Sequence, residues 1–170
     1  MFGGIYAFCR APKMGNFSLI NEEIRESFTG MGNMSIQNVI FHERAVCSGN
    51  CNIRNSEWRG EVNFSGNVQV VVSSFRNLVR CSGVMDIQGS TFDRELYLFS
   101  ERSSFDSTKM KDLFVQVTQP LREQSIHLTN GTSVERIIFE AGRGKVFCDQ
   151  TSTVGEIQGG ERVHEFIQHT

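Results

Sequence analysis

The sequence predicts an all-β fold: a single-stranded, right-handed parallel β-helix (β-solenoid) of about eight coils. Three observations predict it. The dipeptide Gly-Asn recurs at Gly15-Asn16, Gly32-Asn33, Gly49-Asn50 and Gly66-Asn67, with Gly83 continuing the series, and each glycine lies 17 residues after the last. Five columns within that repeat stay apolar from copy to copy. Inside each copy the apolar residues fall two apart with polar residues between them, the alternation of a strand with one inward face.

The columns are explicit. Two residues after each glycine come Phe17, Met34, Cys51, Val68 and Met85, and four after come Leu19, Ile36, Ile53, Val70 and Ile87. An aromatic-rich column reads Ile24, Phe41, Trp58, Phe75 and Phe92. Phe28, Ala45, Val62, Val79 and Leu96 follow, then Gly30, Cys47, Phe64, Cys81 and Leu98, in which Gly30 is the misfit. One copy cannot bury its apolar face alone, whereas stacking copies at the strand spacing buries a continuous core. Right-handed coiling follows from the strong preference of parallel crossovers. The inward positions 36, 41, 47 and 53 do not keep the six-residue beat of a left-handed hexapeptide helix.

The chain reads as one domain. Residues 1–14 form an N-terminal cap, with the apolar tract 2–9 as a cap strand ended by Pro12, because an open solenoid end exposes strand edges. Residues 15–160 are coils. The segment 17–30 also carries helix signals, with Ser18 as a cap, Glu22 and Glu23 in a first turn, and Ile20, Ile24 and Phe28 four apart. Its residues fit the long-range columns, so it is assigned to the first coil. In the next copy, 100–116, Leu113 and Val115 stand in register, Lys109 occupies the aromatic column, and the polar tract 101–111 is expected to loop out before a break at Pro120. The repeat then lengthens to about 20 residues, with Ile126, Leu128, Thr132, Val134 and Ile137 matching Val146, Cys148, Ser152, Val154 and Ile157. Residues 161–170 form a C-terminal cap or tail.

Composition narrows the function. The 170 residues carry a formal net charge of −2, which points away from nucleic acid and from a polybasic membrane surface. No apolar run reaches the roughly 20 residues of a membrane span. Fourteen phenylalanines against two tyrosines suit a stacked core. No signal peptide is visible in the N-terminal tract, and five cysteines, an odd number, give no disulfide framework; free thiols favour the cytoplasm. Cys47, Cys51 and Cys81 fall in inward columns and read as small core hydrophobes. His42, Cys47 and Cys51 make a poor metal trio without a fourth ligand, and neither a metal nor another cofactor is expected.

Candidate sites lie on the outward columns. Ser56, Ser73 and Ser90 form a ladder suited to bonding corner backbone; a nucleophile would occur once, beside a base. Asn16, Asn33, Asn50 and Asn67 form a second corner ladder, in residues that tolerate left-handed backbone. His42, Arg59, Arg76 and Asp93 make an outward stripe, a candidate face for an anionic ligand or a carbohydrate, without the paired carboxylates of glycoside chemistry. Hence no catalytic residue is assigned. His127, His164 and His169 show no partner legible in the sequence. A further outward column reads Val46, Asn63, Arg80, Tyr97, Phe114, and Phe99 interrupts the neighbouring Ser48, Ser65, Ser82. Tyr97, Phe99 and Phe114 thus gather on one surface. Either the 101–112 segment or the C-terminal tail covers them, or they form a patch for a protein partner or for self-association.

The 17-residue coil and the tract Val154-Gly155-Glu156-Ile157-Gln158-Gly159-Gly160 resemble the bactofilins, small bacterial β-solenoids that polymerise into cytoskeletal filaments without nucleotide. The tract 132–146 is similar to uncharacterised bacterial solenoid proteins, a resemblance that implies a fold but supplies no activity. The expected function is a non-enzymatic structural or protein-interaction scaffold, self-associating or partnered. The alternative is a carbohydrate-binding or carbohydrate-active β-helix using the His42–Asp93 face.

Overall fold

Alternation at seventeen-residue spacing folds into three strands per coil. In the second coil these are Met34–Gln37, Ile40–Phe41 and Ala45–Ser48. The structure, a computed structural model, describes residues 11–117 and 122–164. Each strand pairs in parallel with its counterparts one coil before and after. Val62, for example, lies opposite Ala45 on one side and Val79 on the other. The described strands form a nine-stranded and a 14-stranded sheet, all parallel, so the architecture is a β-solenoid. The nine-stranded sheet runs from Phe17–Ile20 to Gly160–His164, one strand per coil, which makes nine coils.

The segment 17–30 is the first coil: Phe17–Ile20, Glu23–Ile24 and Phe28–Met31 are strands. Its helix signals are overridden because Leu19, Ile24 and Phe28 can all reach the core only from extended backbone, where each is buried. The Gly30 misfit also has a cause. A Cβ there would meet Met34 Sδ and the Phe17 ring, which fill the space a larger residue takes in later coils.

The core is one continuous cluster of stacked inward columns, with an aromatic column inside it. Phe41 and Trp58 stack at 4.0 Å and 11°, Trp58 and Phe75 at 6.0 Å and 15°, and Phe75 and Phe92 at 4.7 Å and 9°. Phe75 is 1% exposed and sits between Trp58 and Phe92, where the register expects it. Parallel rings at these separations add aromatic attraction to the burial of apolar area.

Two of the three corners of each early coil are fixed by positive-φ backbone. At the first, Gly32, Gly49, Gly66 and Gly83 have φ between 114° and 134°, and a Cβ on any of them would run into the carbonyl oxygen of the glycine one coil earlier. Both constraints select glycine. The asparagines that follow are not the left-handed residues. That role falls at the second corner, on Asn21, Asn38 and Asn55 (φ 54°, 54° and 48°), then on Val72 (50°) and Gly89 (60°). The serine ladder lies just past this corner, and each hydroxyl works twice. Ser56 Oγ donates to the Arg54 carbonyl and accepts from Val39 N, and Ser73 Oγ donates to the Val71 carbonyl and accepts from Ser56 N. Thr108 and Thr132 continue the same column.

The sixth coil corrects the sequence reading. Residues 101–111 do not loop out: Arg102–Asp106 is a strand of the nine-stranded sheet, and Phe105 is fully buried. One residue is gained before it, since Asp86 lies opposite Ser104, and one is lost after Met110, since Phe92 lies opposite Met110 but Leu96 is again opposite Leu113. Met110, not Lys109, therefore enters the aromatic column opposite Phe92. With the corner shortened, Lys109–Val115 runs as one strand that pairs with both Thr91–Phe92 and Leu96–Phe99. Ser133–Phe139 and Thr153–Gln158 stack on it, so three strands per coil become two. Ile126, Leu128, Val134 and Ile137 lie opposite Val146, Cys148, Val154 and Ile157.

Gly160–His164 pairs with Gly144–Cys148 as the ninth coil's strand, so residues 161–164 belong to the coils and not to a tail. At the other end Lys13–Met14 pairs with Gly30–Met31. The expected cap strand 2–9, Cys9, Pro120, His169 and the remainder of the tail lie outside the described residues.

Candidate functional site

Strand alternation places Tyr97, Phe99 and Phe114 on the outside of the 14-stranded sheet, since Leu96, Leu98, Leu113 and Val115 are fully buried. Tyr97 and Phe114 face each other across adjacent strands and stack at 4.7 Å and 9°. Phe99 is 39% exposed beside them. Ile138 lies opposite Phe114 on the next coil and lengthens the column, a member hidden from the sequence by a 24-residue offset. Exposed Val117 lies on the same strand path beyond Val115. Below the column the Arg80 guanidinium lies 5.7 Å from the Tyr97 ring centroid, and Glu61 is 4.0 Å from Arg80. The 101–112 segment does not cover these rings, because it forms the sixth coil, one step along the axis.

His42, Arg59, Arg76 and Asp93 do form one outward stripe, following the short strands of successive coils. Its basic side chains already lie against acids. His42 Nε2 lies 2.7 Å from Glu23 Oε1; Arg59 and Arg76 both donate to Glu57; Arg76 also donates to Asp93 at 3.3 Å. Arg25 and then His42 hold the Glu23 carboxyl below its ordinary range, and Arg59 chiefly does the same for Glu57. Acids and bases interleave along the stripe, which leaves it little net field to attract a polyanion.

The suggested metal trio is not brought together: His42 faces outward, while Cys47 and Cys51 are buried at 1% and 3% exposure. Neighbouring Cys51 together with burial pushes the Cys47 thiol well up, and burial pushes the Cys81 thiol to about 12. Thiols held protonated in this way are weak nucleophiles and weak metal ligands. Among the described residues no cluster of three or more His, Cys, Asp or Glu could hold a metal, and no helix is long and apolar enough to cross a membrane.

A third surface was not legible in the sequence. A groove of about 920 Å³ runs along the nine-stranded sheet through the first five coils. One wall is the Asn16, Asn33, Asn50, Asn67 corner column, in which Asn33 Nδ2 donates to Asn16 Oδ1 (3.0 Å) and Asn50 Nδ2 to Asn33 Oδ1 (3.1 Å). The other is the outward column Ser18, Ser35, Asn52, Gln69, ending in Asp86. Past the groove the same column continues as Ser104, His127 and Phe147. Ser104 Oγ donates to Asp86, and the His127 and Phe147 rings stack at 4.6 Å and 9°. The serine sits between the carboxylate and the imidazole. Its proton is directed to Asp86, the reverse of the order in which a carboxylate orients a histidine base. Only alignment across the sixth coil's extra residue and the following 23-residue offset brings these groups together.

No family model matches the chain, and neither a curated protein nor a solved structure matches it.

Proposed function

We propose that this solenoid is a non-enzymatic interaction scaffold that self-associates through the surface of Tyr97, Phe99 and Phe114. The observation that carries the proposal is the outward Tyr97–Phe114 stack, extended by Ile138 and flanked by exposed Phe99, where earlier coils present Val46, Asn63 and Arg80 in the one column and Ser48, Ser65 and Ser82 in the other. Aromatic rings held by a rigid sheet lose little conformational freedom on docking and make efficient anchors.

Charge supports a second copy as the occupant. Arg80 lies one coil before Tyr97, and Glu140, which accepts from Val117 N, lies two residues along the chain from Ile138, beside the column and not in it. A two-fold axis through the Tyr97–Phe114 stack, with the solenoids antiparallel, sets Arg80 of each copy against the Ile138–Glu140 end of the other. Such an isologous contact is self-complementary and closed. The resemblance to bactofilins agrees with a structural role. The alternative, a carbohydrate on the His42–Asp93 face, has less support because Arg59 and Arg76 are spent on Glu57 and Asp93 and His42 is bonded to Glu23.

Sedimentation velocity over a concentration series tests the proposal. The unmodified protein should dimerise, and Tyr97→Ser with Phe114→Ser should weaken association at least about a hundredfold with the fold intact by far-UV circular dichroism. An unmodified protein that stays monomeric at the highest concentration overturns it.

A further inference from the structure

We propose that the groove on the nine-stranded sheet binds a linear, uncharged glycan laid along the solenoid axis. The groove lies on a different face from the aromatic patch, and the proposal stands independently of self-association.

The argument begins with what lines it. Through four coils the walls present Asn against Ser, Asn or Gln: Asn16 with Ser18, Asn33 with Ser35, Asn50 with Asn52, Asn67 with Gln69. None of these groups ionises, and among the lining residues only Asp86, at the far end, carries a charge. A polyanion finds no cation there, so nucleic acids and acidic polysaccharides are poorly served. Within the groove an extended peptide finds no edge to join, because Met34–Gln37, Cys51–Arg54, Val68–Val71 and Met85–Gln88 are each paired on both sides.

The hydrogen-bonding capacity is unspent. Each amide in the asparagine ladder gives one N–H or one lone pair to its neighbour and keeps another of each for the groove. The Ser18, Ser35, Asn52 and Gln69 side chains make no hydrogen bond with a described residue. Amides and hydroxyls that both donate and accept are the natural complement of sugar hydroxyls, which also do both. Spacing agrees as well. Coils repeat at about 4.8 Å, close to the advance of one ring in an extended β-linked hexose chain, so each coil meets one ring, with successive rings presenting alternate edges. At one ring per coil, the neutral stretch accommodates about four rings.

The test is binding of the full-length chain to an array of linear neutral oligosaccharides of increasing length, built from glucose, mannose, xylose or N-acetylglucosamine, with polygalacturonate as the charged comparison. Calorimetry then follows the tightest ligand. Affinity should rise with length and level off near about four rings. Asn52→Ala with Gln69→Ala should weaken binding at least about tenfold with an unchanged thermal melt, while Arg59→Ala with Arg76→Ala on the other face should leave it alone. Absence of binding to every neutral series, preference for polygalacturonate, or indifference to Asn52→Ala with Gln69→Ala overturns the proposal.

Discussion

Val72 should be replaceable with a gain in stability. It occupies the left-handed corner at φ 50°, in a column that otherwise holds Asn21, Asn38, Asn55 and Gly89. A β-branched residue is poorly suited to that region, where Cβ crowds the following carbonyl at a cost of about 1–2 kcal/mol. Asparagine tolerates it through local hydrogen bonding. Little burial is lost on replacement, since Val72 is 57% exposed. Val72→Asn also extends the amide column in which Asn38 Nδ2 donates to Asn21 Oδ1 at 2.8 Å, although so exposed a bond adds only a fraction of a kcal/mol. The expected net gain is about 1 kcal/mol, seen as a rise of roughly 2–4 °C in melting temperature for a chain of this size. Val72→Gly relieves the same strain but frees the unfolded chain by about 0.4–1 kcal/mol, so its gain should be smaller. Val72→Thr keeps the β-branch and should gain least. Thermal melts by far-UV circular dichroism and urea titrations give the ranking Asn above Gly above Thr. A Val72→Asn protein that melts at or below the unmodified one refutes the reasoning.

The aromatic stack is the next target: Phe75→Ala should cost about 3–5 kcal/mol in urea titrations, and a loss below about 1 kcal/mol would contradict its place between Trp58 and Phe92. Gly66→Ala should destabilise by more than about 1 kcal/mol, because the new Cβ meets the Gly49 carbonyl oxygen at a φ of 133°; a melt equal to the unmodified protein's would show that the corner can shift. Desolvation pushes the Asp149 carboxyl up, but hydrogen bonds from Asn130 N, from the Thr151 hydroxyl and from Ser152 N outweigh it and bring it down to about 2. Because the folded value lies below the ordinary 3.8, its stabilisation is complete above that value and fades as pH falls towards 2. Asp149→Asn should therefore melt lower than the unmodified protein at pH 7, and the gap should close between about pH 4 and pH 2.

The sequence by itself determined the repeat, the inward columns and the strand register of the first five coils. Inward side chains stack on their own counterparts, so a single constraint recurs every 17 residues and is written in the chain as periodicity. For the same reason Phe75 could be placed between Trp58 and Phe92, and Tyr97 against Phe114, from spacing alone. The tertiary structure decided what periodicity does not encode. An added residue before Ser104 and a lost one after Met110 cancel in the count, so the sequence placed Lys109 where Met110 stands and read a buried strand as a loop. The left-handed backbone fell on Asn21, Asn38 and Asn55 and not on the asparagines after the glycines, because φ is set by the path of the corner. Outward residues are bound by no common core. Whether Arg59 and Arg76 are neutralised by Glu57, whether Asn52 and Gln69 line a groove, and whether Asp86, Ser104 and His127 share a column depend on register carried across coils of unequal length, which only the stacked strands fix.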